Sequence, residues 1–128
     1  MRQDNIIRVT QIDDAPDDEG NDAVVAAWPQ LAEAAGKGTA FASVTYIVDE
    51  TVDEDDQPFT YRGLDLVLPK GYLKKEDQLL AELNTLADAL LELAGTTHAM
   101  FAIERDDVSI EISDEDGYDK EELADLLE

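Results

Sequence analysis

The chain has 128 residues, enough for one domain of ordinary size and too few for two, and we expect residues 1–128 to form a single domain. It carries 32 Asp and Glu against 9 Lys and Arg, a formal net charge of -23, yet 44 % of it is apolar, which is ample for a core and excludes wholesale disorder. The absence of cysteine removes disulfides, thiolate metal sites, cysteine nucleophiles and iron–sulfur clusters, and a lone His98 leaves little for a histidine-rich metal site or a catalytic triad.

Ile6 to Ile12 is short and β-branched and reads as a strand. Asp13 to Asn21, with Pro16 and Gly20, reads as a loop. Asn21 or Asp22 can N-cap a helix through Trp28. Pro29 lacks a backbone N–H, so it is expected to break or kink that helix, with a second short segment from Gln30 to Ala35 stopped by Gly36. Thr39 to Val48 and Phe59 to Leu68 both alternate at period two, the latter with Leu64, Leu66 and Leu68 on one side. They predict an antiparallel hairpin whose long tip, Asp49 to Pro58, is almost all acid.

The strongest helical signal follows Pro69-Lys70-Gly71. Leu79, Leu83, Leu86, Leu90 and Leu93 recur at steps of four and three, Glu76 and Asp77 suit the positive end of the helix dipole, and Gly95 suits the C-cap. Such a stripe could seed a coiled coil; the core-facing helix of a small domain is the expected reading. His98 to Arg105 and Val108 to Ser113 form a second hairpin. With Asp106-Asp107 as its turn, Phe101 faces Ile112 and Ile103 faces Ile110 on a core side, and Met100, Ala102, Glu104, Ser109 and Glu111 take the other. Tyr118 to Glu128 predicts a short terminal helix. The order strand, helix, strand, strand, helix, strand, strand, helix implies an α+β two-layer sandwich, mostly antiparallel, with helices on one face. The first six elements match the split β-α-β order of ferredoxin-like folds, which carries no functional information.

Motifs for chemistry are sparse. Asp114-Glu115-Asp116-Gly117 resembles the middle of an EF-hand loop, but aligning Gly117 puts Ile112 and Leu123 at the first and twelfth ligand positions; a loop starting at Asp53 fails in the same way, with Leu64 at position twelve. Gly36-Lys37-Gly38-Thr39 lacks the strand and spacing of a phosphate loop. Asp65, between Leu64 and Leu66, is the best candidate for a sheet-face acid, though an exposed strand residue is the simpler account. His98 reads as a turn residue and Trp28 as core. No catalytic residues, metal site or cofactor are expected, and the chain is not expected to be an enzyme.

What remains is the charge. The windows 13–22, 49–56 and 104–128 hold 24 of the 32 acids, while Arg62, Lys70, Lys74 and Lys75 gather within fourteen residues. Charge runs are ordinarily solvated faces. Net charge of this size repels phosphate, so direct binding to nucleic acid or an anionic membrane is excluded. With no signal-like N-terminus and no long apolar run, a cytoplasmic protein of a bacterial, archaeal or phage genome is expected. At one charge per ~1.7 Å of B-DNA axis, 23 charges correspond to roughly 40 Å of duplex, close to the 35–40 Å diameter expected for a chain of this length. In charge and size alone the chain resembles the DNA-mimic inhibitors as a class: anti-CRISPR and anti-restriction proteins of phages, and acidic immunity proteins that neutralise nuclease toxins. That resemblance implies an inhibitor acting by occlusion, with a basic nucleic-acid-binding protein (nuclease, CRISPR effector or toxin) as partner. The candidate partner-binding residues are Asp49, Glu50, Asp53, Glu54, Asp55 and Asp56 at the hairpin tip and Glu104, Asp106, Asp107, Glu111, Asp114, Glu115 and Asp116 along the second hairpin, with the loop Asp13 to Glu19 a weaker candidate. The alternative is an interaction or regulatory domain whose acid coat is adapted to high salt, since halophile proteins are similar in their excess of Asp, 19 here against 13 Glu, and in having few lysines.

Overall fold

A computed structural model of the chain describes residues 5–13, 18–37, 40–52 and 54–127. Five strands, β1 (Ile6–Asp13), β2 (Ser43–Val52), β3 (Pro58–Val67), β4 (Met100–Arg105) and β5 (Val108–Ile112), form one antiparallel sheet in the order β2-β3-β1-β4-β5. Helices α1 (Asp18–Gly36), α2 (Glu76–Thr97) and α3 (Lys120–Asp125) connect and cover them, with a 3-10 turn at Tyr72–Lys75 leading into α2. α1 carries the chain from β1 to β2 across the position of β3, and α2 carries it from β3 to β4 across the position of β1. These are two interlocked split β-α-β units, the ferredoxin-like arrangement, with β5 added at the β4 edge.

Alternation along the strands places the core. Ile7 and Val9 of β1, Leu64 and Leu66 of β3, Phe101 and Ile103 of β4, and Ile110 and Ile112 of β5 are buried beneath the helices. The register Phe101–Ile112 and Ile103–Ile110 is the one expected from the turn at Asp106-Asp107, where Asp106 has φ 53. The leucine stripe of α2 lies on this face, with Leu79, Leu83, Leu86 and Leu90 buried and Leu93 packed at its margin. α3 adds Leu123, and Leu126 and Leu127 follow it into the core.

Four expectations are corrected. α1 begins at Asp18 and runs unbroken through Pro29. Glu19 suits the positive end of the dipole, and burial of Val24 and Trp28, in the turn before Pro29, anchors the helix where a hydrogen bond is lost. Trp28 meets Phe101 edge to face, with centroids 5.8 Å apart. α2 passes through Gly95 and ends at His98, whose φ of 62 supplies the left-handed cap expected of the glycine. The first hairpin is shifted outward: β2 starts at Ser43, not Thr39, and runs on to Val52, so Asp49 and Glu50 are strand residues and the tip is only 53–57. The terminal helix spans six residues rather than eleven, capped by the Asp119 side chain, which accepts from the N–H groups of Glu121 and Glu122.

Two contacts hold the C-terminal segment. Arg105 is buried: its Nη1 donates to the Leu126 carbonyl at 2.7 Å, its Nη2 to the Tyr72 hydroxyl at 3.2 Å, and its guanidinium lies 4.9 Å from the Tyr72 ring centre. The Tyr118 hydroxyl donates to Asp88 Oδ1 at 2.6 Å, joining the approach to α3 to α2. Partial burial, and then the Asp88 carboxylate that accepts its hydrogen bond, push the Tyr118 hydroxyl from 10.0 up to about 12.

Leu83→Ala is expected to lower unfolding free energy by about 2–5 kcal/mol in a urea titration, since Leu83 is wholly buried. The Tyr118 contribution to stability is complete below pH 10 and is lost as pH rises toward 12, because in that interval the unfolded chain has given up a proton that the folded chain retains. Denaturation midpoints should therefore fall between pH 10 and 12, and the fall should be smaller in Tyr118→Phe.

Candidate functional site

β1 pairs with β3 only from Ile6–Val67 to Thr10–Gly63. Beyond that point β1 follows β4, with a register shift between Gln11 and Asp13, while β2 and β3 continue as a two-stranded arm for five further pairs, Val48–Arg62 to Val52–Pro58. Every β2 residue from Val48 to Val52 is exposed, and Val48 and Val52 are 49 % and 59 % exposed on the side the helices would otherwise cover. The arm is thus bare on both faces of its outer strand.

Gly63 is where the arm leaves the sheet. A Cβ at this position would lie 2.3 Å from the Val9 carbonyl oxygen, so no other residue permits the same approach of β3 to β1. At the far end Asp56 closes the tip with φ 60, a conformation that Asp tolerates better than most residues. Asp49 and Glu50 lie on consecutive positions of the arm and so on opposite faces, and Glu54, Asp55 and Asp56 form its exposed tip. Asp53 falls outside the described residues. Residues 48–62 hold six acids and one base, Arg62, a net charge of -5 on roughly 15 Å of ribbon at ~3.3 Å per residue, with the acids concentrated toward the tip. That is about one charge per 3 Å, close to the ~3.4 Å per charge of a single nucleic-acid strand and about half the density of a duplex.

The second candidate set is divided. Asp106 and Asp107 turn the chain at one end of β5, and Asp114, Glu115 and Asp116 turn it at the other, four residue steps or roughly 13 Å away. The strip expected along this hairpin is therefore two clusters. Antiparallel order brings the 114–116 turn and the arm tip to the same end of the sheet, at opposite edges; the start of α1, with exposed Glu19 and Asp22, lies at that end too. Asp13 closes β1 there, and residues 14–17 of the weaker loop candidate are outside the described residues. Lys37, Lys70, Lys74 and Lys75 lie at the opposite end, after α1 and around the entry to α2. Arg62, close to these lysines in sequence, lies instead on the arm, so the molecule has a largely acidic pole that holds Arg62 and a pole where bases and acids mix.

On the helix-free face, Glu104 and Asp65 are the cross-strand neighbours of Arg8, and Arg8 Nε donates to Asp65 Oδ1 at 3.0 Å. Asp65 is thus engaged in a cross-strand ion pair rather than poised for acid–base work. Glu111 sits on the same face opposite Ala102. His98 Nδ1 lies 2.9 Å from Asp114 Oδ2, tying the end of α2 to the acidic turn. Among the described residues no three His, Asp or Glu side chains gather to hold a metal ion, and no described helix is long and apolar enough to cross a membrane.

Two features escaped sequence reasoning. Arg105 shares the parity of Phe101 and Ile103, which assigns it to the core side, but a lone arginine at a strand end carries no signal of burial. The departure of the arm from the sheet is written only in Gly63, and a glycine inside an alternating strand is a weak mark of a bend.

Gly63→Ala is expected to weaken the β1–β3 pairing and to lower the thermal midpoint far more than Gly95→Ala. A Cβ at Gly95 meets nothing within 4 Å and improves helix propensity. Compared with protein-family models, curated proteins and solved structures, the chain matches none.

Proposed function

We propose that this chain is an acidic inhibitor that occupies the nucleic-acid-binding groove of a basic partner protein and acts by occlusion, not catalysis. The observation that supports this reading best is the β2–β3 arm with its exposed outer strand, whose mean charge density is about that of one nucleic-acid strand. A ribbon of this kind is narrow enough to enter a groove; its backbone pairing fixes Asp49 and Glu50, and the turn at its end presents Glu54, Asp55 and Asp56. The acidic pole behind the tip, with Asp114, Glu115 and Asp116, extends the field that would steer the arm into a positive channel. The partner class is a nuclease, a CRISPR effector or a nuclease-like toxin, met in the cytoplasm.

The test neutralises the arm: Asp49→Asn, Glu50→Gln, Glu54→Gln, Asp55→Asn and Asp56→Asn together. The expected outcome is an unchanged fold and a small gain in stability, because like charges are removed from one ribbon. A partner recovered from the source cell should bind the variant at least tenfold more slowly, with a flatter salt dependence, and should be displaced from the native chain by its own DNA or RNA. A partner that holds its nucleic acid normally with this chain bound elsewhere overturns mimicry. Circular dichroism separates the salt-coat reading: an inhibitor keeps its structure at low ionic strength and gains stability with salt, whereas loss of structure in low salt favours the coat.

A further inference from the structure

α1 and α2 run antiparallel over the sheet and leave a trough between them on the solvent side. Two clefts, about 270 Å³ and 310 Å³, lie end to end along it, with Leu31 and Ala89 lining both. Together they follow α1 from Ala23 to Lys37, roughly 21 Å at 1.5 Å per residue. The trough exists because its walls are small: Ala27 and Ala34 of α1 face Ala81 and Ala89 of α2, and larger side chains, Leu31 and Leu93, are packed lower against the core. Ala34, Ala81 and Thr85 are exposed at its mouth.

We infer that this trough receives a cationic amphipathic helix from a partner protein. Its shape selects a helix. Both walls are α-helices whose backbone groups are satisfied within themselves, so an extended segment would find no ladder to join, while a helix brings its own hydrogen bonds and offers an apolar ridge about four turns long. The net charge of the chain favours a cationic one. The charged side chains lining the trough are Glu82, Glu92 and, at one end, Lys37, on a chain of net charge -23. Glu82 is fixed, both its carboxylate oxygens accepting from the Ala40 N–H at 2.9 Å, so the end of the trough is a formed surface and not a loose rim. A second copy of this chain would bring another -23 to the same face and is disfavoured by repulsion. This inference is independent of the arm, which lies beyond the end of the sheet and shares no residue with the trough.

The experiment titrates the isotope-labelled full chain with a synthetic 18-residue peptide carrying leucine at helical spacing on one face and lysine elsewhere. The control is a permuted peptide of the same composition with no apolar face. The expected result is that the amphipathic peptide moves the amide resonances of Ala27, Leu31, Ala34, Ala81 and Ala89, and that the permuted peptide does not. The double variant Ala34→Gln with Ala81→Gln, which fills the mouth with good helix formers at unchanged charge, should bind at least tenfold more weakly. Thr85→Lys, on the same wall, should give an independent loss through repulsion. Equal binding of the two peptides, shifts confined to the arm residues 48–62, or affinity unchanged in both variants overturns the inference. So does a concentration-dependent shift of the trough resonances without peptide, which would place a second copy there.

Discussion

The approach of β3 to the Val9 carbonyl at Gly63 governs the arrangement of the rest. β1 is the central strand, paired to β3 on one side and β4 on the other, and both split β-α-β units meet on it. Because β3 comes so close at Gly63 and then leaves, the sheet has two parts with different duties. From Ile6 to Thr10 all five strands can carry one face of the core. Beyond Thr10 the β2–β3 ribbon pairs with no other described strand, and its outer strand β2 is exposed on both faces. A side chain at residue 63 would push these strands apart, so the joint between core and arm rests on one missing methyl group.

That division lets the chain keep a compact apolar interior beside its large net charge. Like charges repel over a Debye length of roughly 8–10 Å at ordinary salt, so the least costly positions for acids are the ends of elements and the parts that project. The arm, the 113–117 turn and the first turn of α1 are such places, and two of them use their position. Acids at the N-terminal end of α1 meet the positive end of its dipole, and Asp114 lies 2.9 Å from His98 Nδ1, which ties the turn to the end of α2. The bases at the other pole do not follow the dipole: Lys74 and Lys75 stand just before the N-terminal end of α2, next in sequence to Glu76 and Asp77.

Much of the fold was legible because period-two and period-3.6 patterns survive in single elements. Phe101, Ile103, Ile110 and Ile112 declare their shared face and their register through a two-residue turn, and the α2 leucines declare theirs. The misread places are those where a local rule met a tertiary contact. Pro29 predicts a break, and α1 overrides it because Trp28 is packed against Phe101. Gly95 predicts a cap, and α2 overrides it by running two residues further, where Thr97 is buried and the chain can turn at His98 into β4. The candidate site was legible as composition only. Acid runs name which segments are solvated, and the length of β5 alone separates Asp106 and Asp107 from Asp114 to Asp116; that the latter share an end of the sheet with the arm tip depends on strand order and direction, which no acid run reveals.

The trough adds an orientation that charge alone lacks. A long-range field speeds encounter and tolerates many poses, and the pose is fixed by short-range packing. An acidic ribbon entering a positive channel has little to set its rotation or depth, because phosphate-like contacts are repeated along its length. An apolar trough of defined length on the helical layer supplies such a reference. It runs alongside the strands, and its α1 start and α2 end lie at the same end of the sheet as the arm. If one partner engages both, the charged contact sets the rate of association and the apolar one sets the register. The two would then separate in experiment: neutralising the arm would act on the salt-dependent on-rate, and filling the trough would act on the off-rate at any salt concentration.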